Sequence, residues 1–182
     1  LVYTAIGIWM FRKILLEFFD DKITSILIFI LVLGTNYFQL TAFEGFISHN
    51  YLFTLYTLIV WFTIKWHQNQ RWQYALWLGL AMGLAVLVRP SEMVCVIIPL
   101  FWGISNGESF IQKMKLIKSN PGHIILMAVA AVIAGSPQLL YWKHSTGYWL
   151  FYSYNNPGEG FDLLQPYLVN VLFSFRKGWL VY

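Results

Sequence analysis

Charge is what this sequence has least of. Only 11% of its 182 residues are Asp, Glu, Lys or Arg, whereas a soluble domain carries about a quarter because its surface has to be wetted. That shortage excludes a soluble enzyme, and a hydrophobic content of 58% with mean hydropathy +0.59 excludes a disordered tail. A nucleic-acid partner is excluded by the same composition, since a net charge of +4 matters less than where the charges sit. Cysteine is nearly absent. Cys95 alone permits no internal disulfide and no thiolate metal cluster. Also missing are a His-Glu-x-x-His pair, a Gly-x-x-x-x-Gly-Lys phosphate loop and a Gly-x-Ser-x-Gly elbow.

What is present is a series of uncharged stretches. A bilayer core about 30 Å thick takes about 20 mostly apolar residues as a helix. Residues 23–43 and 45–64 carry no formal charge and are long enough; 72–88 and 93–107 are shorter; 118 and 143 bracket another stretch centred on 124–140. With a partial helix over 1–11, this predicts about six transmembrane segments. Lipid offers the backbone no partner, and the strict alternation of barrel strands is lacking, so the expected fold is an all-α polytopic membrane protein. The chain opens on Leu1 and closes on Tyr182 inside apolar runs, so it reads as a middle portion of a longer protein.

Lys and Arg alternate between connections. Residues 12–22 hold Arg12, Lys13 and Lys22; 65–71 hold Lys65 and Arg71; 105–121 hold Lys113, Lys115 and Lys118. The intervening 41–49 has none and 89–92 has one, so the first set is expected in the cytoplasm and the second outside. The expected organisation is a transmembrane region over 1–140 and an outer-side segment over 141–182. That tail is aromatic-rich from Tyr141 to Tyr154, has a loop run at 155–160 and an interfacial helix within 161–175. Lys143, Arg176 and Lys177 fall outside against the charge trend.

Several polar residues stand where membrane depth makes them costly. Glu44 and His49 share one short outer loop, where they suit a general base or a sugar contact, or simply a solvated turn capped by Ser48. Arg89-Pro90-Ser91-Glu92 interrupts an apolar run. Arg offers a planar fork that matches phosphate, and the alternative is a tight turn with Arg89 paired to Glu92. Arg176-Lys177-Gly178-Trp179 suits an anionic lipid headgroup or plain snorkelling. Asp20-Asp21 reads as a solvated connection, and His67, His123 and His144 as interfacial residues.

Gly34-Thr35-Asn36-Tyr37-Phe38, Phe43-Glu44, Ile47-Ser48-His49-Asn50-Tyr51, the run from Gly79 to Pro90, and Ser174-Phe175-Arg176-Lys177-Gly178-Trp179 together resemble integral-membrane glycosyltransferases of the GT-C superfamily. The nearest branch is that of protein O-mannosyltransferases and the lipid A aminoarabinose transferase. The resemblance implies inverting transfer of a sugar from a polyprenyl-phosphate-linked donor to a protein, lipid or glycan acceptor. The transfer would take place on the outer face of a bacterial-type inner membrane. It implies a catalytic acid in an outer loop preceding Leu1, with Glu44 and His49 as supporting contacts. Arg89, Arg176 and Lys177 would be the donor-phosphate contacts. His49 stands where a second acidic residue is expected, which weakens the case for a two-carboxylate or metal-assisted mechanism; no cofactor is called for, and divalent metal use stays open. The partners implied are the lipid-linked donor and bilayer lipids. A flippase for a lipid-linked glycan would use the same cations without a base, and a non-catalytic membrane scaffold would need neither.

Overall fold

The structure, a computed structural model, describes residues 2–45, 47–151 and 167–174, and every regular element among them is helical. Helix α1 spans Val2–Leu15, α2 Asp21–Gly34, α3 Tyr37–Ala42, α4 Ser48–Gln68 and α5 Trp72–Val88. A 3₁₀ helix, Pro90–Val96, leads into α6, Ile97–Phe101. Then come α7, Gly107–Ser119, α8, Pro121–Thr146, and the short α9, Leu168–Phe173. The all-α character is as expected.

The spans are less regular than the charge gaps suggested. Residues 23–43 do not form one helix. Thr35 adopts an extended backbone (φ −128°, ψ 174°) that ends α2. Its hydroxyl donates to the Leu31 carbonyl and accepts from the Tyr37 N–H, which redirects the chain into α3. Residues 93–107 begin inside the 3₁₀ helix that Pro90 starts and end beyond α6. Among the described residues α8 alone is long and apolar enough by itself to cross a bilayer. The 14 residues of α1 and of α2 rise only about 21 Å each.

Helix ends follow local chemistry. The Asp20 carboxylate caps α2 by accepting from the Ile23 N–H at 2.8 Å, which gives that acid a structural task. Asn106 and Ser109 form a capping box at the start of α7. Gly147, with φ +80°, closes α8, and Lys143 donates to its carbonyl, so the out-of-trend Lys143 caps a helix.

Leu55 and Ile59 of α4 pack with Leu78 and Ala85 of α5 to form the centre of the core. On its other side α5 lies along α8 at backbone distance. A Cβ placed on Gly79 would stand 2.9 Å from the Ala130 Cβ, and one on Gly83 would stand 2.7 Å from the Ala134 Cβ; each would also strike a carbonyl oxygen, of Met127 and Ala131 respectively. The register advances by four on both helices, so they run parallel, and the Gly-x-x-x-Gly spacing is what lets their backbones meet. Gly7 instead leaves room for side chains of α4, since a Cβ there would meet the Thr54 hydroxyl and the Phe53 ring.

Side-chain contacts sort the connections between two ends of the bundle. Lys65 pairs with Glu17, Lys113 with His67, and Trp66 with His123 at one end. Tyr37 reaches the Thr4 carbonyl, Tyr3 reaches Tyr51, and Asn50 holds the Leu40 carbonyl at the other. All three Lys/Arg-rich connections therefore gather at one end.

Candidate functional site

Arg89 lies at the opposite end, immediately after α5. Its N–H closes the helix on the Ala85 carbonyl, and Pro90, which has no N–H to give, starts the 3₁₀ helix at its first position. The Arg89 side chain is exposed, and no carboxylate pairs with it among the described residues. Glu92, half-buried one 3₁₀ turn on, binds elsewhere: its Oε2 accepts from the Tyr56 hydroxyl of α4 at 2.5 Å. The tight-turn alternative, Arg89 paired with Glu92, is thus absent, and Glu92 contacts α4 instead.

Glu44 and His49 are both exposed, and neither side chain makes a hydrogen bond or ion pair among the described residues. Their loop is organised by Asn50, which is buried and donates to the Leu40 carbonyl at 2.9 Å and the Glu44 carbonyl at 3.3 Å. Ser48 does not cap α4. Ile47 occupies the cap position, and Ser48 is already inside the helix. Arg176 and Lys177, the loop 155–160 and most of the expected interfacial helix lie outside the described residues; within 161–175 the described part is α9 with its flanks.

Beside Arg89 an apolar cavity of about 710 Å³ opens between α5, the 3₁₀ helix, α7 and α8. Pro90, Met93 and Trp142 line its Arg89 end, and Ile117 and Lys113 its opposite end. No group of three or more His, Cys, Asp and Glu side chains gathers among the described residues.

Residues 1–142 match the family described as dolichyl-phosphate-mannose-protein mannosyltransferase. The chain belongs to this family. The match covers 142 of 182 residues and takes in α1 to α7 and most of α8, including Glu44, His49 and Arg89. It makes the chain a GT-C glycosyltransferase-like sequence from a family of integral membrane proteins. No curated protein and no solved structure matches the chain.

In this mannosyltransferase-family chain the most deeply buried cation among the described residues was not singled out by the sequence. Lys113 of α7 is 6% exposed, contacts the His67 Nε2, and donates to the Pro99 carbonyl at 2.6 Å. It thereby satisfies the last turn of α6 and fastens α7 to the bundle. Burial without a carboxylate partner pushes its ammonium down to about 8 from an ordinary 10.5. A depressed amine binds fewer protons folded than unfolded, so stability rises with pH across that interval. The thermal midpoint in detergent is expected to climb between about pH 8 and pH 10.5, and Lys113→Met to flatten that climb. A Lys113→Met protein with an unchanged slope would assign the rise to other groups.

Proposed function

We propose that the chain transfers a sugar from a polyprenyl-phosphate-linked donor to a protein, lipid or glycan acceptor, with the Arg89 end of the bundle facing out. The observation that carries this reading is an exposed guanidinium, with no carboxylate partner among the described residues, next to Pro90, which lines an apolar cavity. A phosphate held at Arg89 would have its lipid chain beside that cavity. As the glycosidic bond breaks, negative charge grows on the phosphate, and a preorganised cation stabilises it there. Arg176 and Lys177 supply further cations in this reading, while Glu44 and His49 make supporting contacts to sugar or acceptor. The transfer itself calls for no redox or group-carrying cofactor.

The multi-pass arrangement is part of the same proposal. The large apolar side chains Phe29, Ile30 and Leu33 on α2, and Val132 and Ile133 on α8, are exposed, as lipid-facing surfaces require. With the Lys113 end in the cytoplasm, a cysteine placed at 115 in a Cys95→Ser background is expected to escape an impermeant thiol reagent in intact cells. One at 158 is expected to react, and the reverse pattern would invert the orientation.

Chemistry separates transfer from transport. Full-length protein in proteoliposomes, given a polyprenyl-phosphate-linked sugar and acceptor, is expected to release free polyprenyl phosphate. Movement of intact donor across the bilayer without cleavage would replace the transferase with a flippase.

A further inference from the structure

Glu92 is placed where it ought to neutralise Arg89. Three residues make one turn of a 3₁₀ helix, so Glu92 comes one turn after Arg89, whose own backbone is extended at the cap (φ −147°, ψ 122°). Arg89 is the cap residue of the 3₁₀ helix, Glu92 follows three positions on, and the Glu92 N–H donates to the Arg89 carbonyl at 2.9 Å. A carboxylate in that position competes with phosphate for the same guanidinium fork, because both are planar or tripodal oxyanions that take paired N–H donors. The structure avoids the competition. Tyr56, 36 positions earlier on α4, donates its hydroxyl to Glu92 Oε2 at 2.5 Å. A neutral phenol thus satisfies the carboxylate without spending a cation on it.

We propose that Tyr56 is a positioning residue, which holds the Glu92 carboxylate against α4 and so keeps the Arg89 guanidinium open to the donor phosphate. This rests on Arg89 as the phosphate contact. Tyr56 touches neither donor nor acceptor in this scheme and acts only through Glu92. Without its hydroxyl, Glu92 loses its partner and turns to the cation one turn away. An exposed or half-exposed ion pair is worth up to about 1 kcal/mol, so the competing pair should weaken phosphate binding about 2- to 5-fold.

Binding of a short-chain polyprenyl phosphate to the full-length protein in detergent, measured by calorimetry, tests this without relying on turnover. Tyr56→Phe is expected to raise its Kd about 2- to 5-fold. Adding Glu92→Gln to Tyr56→Phe should restore the affinity, since the competing charge is then gone. In an Arg89→Ala background, Tyr56→Phe should change nothing further. A Tyr56→Phe protein with unaltered Kd, or a loss that Glu92→Gln does not repair, would overturn the positioning role, the second result marking Tyr56 as a packing residue. If Arg89→Ala itself leaves Kd unchanged, the phosphate contact fails, which is a separate outcome from failure of the rescue.

Discussion

Gly83→Val is expected to lower the thermal midpoint of the detergent-solubilised protein by roughly 2–12 °C. The reason lies in what a new side chain would meet. Gly83 faces the Ala131 carbonyl oxygen, and a Cβ there would also stand 2.7 Å from the Ala134 Cβ. A flexible side chain could swing away from such a clash; a helix backbone cannot. Helices α5 and α8 would have to separate, which would open the core cluster that holds both Met82 of α5 and Met127 of α8. Overpacking a closely fitted interface costs about 1–3 kcal/mol, and each kcal/mol moves the midpoint by about 2–4 °C in a chain of this size. Gly79→Val meets the same obstacle at Met127 and Ala130, so the pair together should leave little folded protein. Gly122 is the internal control. It lies in the first turn of the same helix α8, nothing stands within 4 Å of its added Cβ, and Gly122→Ala should be neutral or raise the midpoint slightly. An unshifted midpoint for Gly83→Val would mean that α5 and α8 do not approach at backbone distance.

That interface shows how far the sequence could be read. Gly79 and Gly83, four apart in an apolar helix, mark a face that another backbone can approach, but nothing local says that α8 is the partner 48 positions away. The gaps between charges located α5 closely, and 45–64 overlaps a helix that starts only at Ser48 and runs on past Lys65 to Gln68. It runs on because Lys65 and Gln68 both bind Glu17 below α1, a tertiary contact across about 50 positions. Residues 23–43 failed as one span for a reason that hydropathy cannot carry: the Thr35 hydroxyl competes with the backbone and ends α2. At the candidate site, Arg89 was legible because a cation beside Pro in an apolar run is conspicuous. The partner of Glu92 was not. Sequence proximity pointed to Arg89, and only the packing of α4 against the 3₁₀ helix brings Tyr56 within reach. Lys113 read as one more lysine of a connection expected in the cytoplasm until its carbonyl partners at Pro99 and Trp102 were in place.

Arg89→Ala in the full-length protein is expected to cut use of the lipid-linked donor about 10- to 150-fold, which corresponds to the roughly 1.5–3 kcal/mol of a hydrogen bond to a charged group. The loss should exceed that of an ordinary surface arginine, because Arg89 sits beside an apolar cavity and, among the described residues, has no carboxylate to release. Arg89→Lys separates charge from geometry: an ammonium keeps the attraction but not the planar fork, so an intermediate loss is expected. The midpoint of Arg89→Ala should stay close to that of the parent, since α5 is ended by the backbone of residue 89 and not by its guanidinium. Arg176, the second proposed cation, offers a further test of where the phosphate lies. If both grip one phosphate, removing the second after the first should cost less than removing it alone, and a double-mutant cycle of Arg89→Ala with Arg176→Ala should show coupling. Strict additivity would place Arg176 at a separate position, and a folded Arg89→Ala protein with full donor use would leave Arg89 as nothing more than the residue at which α5 ends.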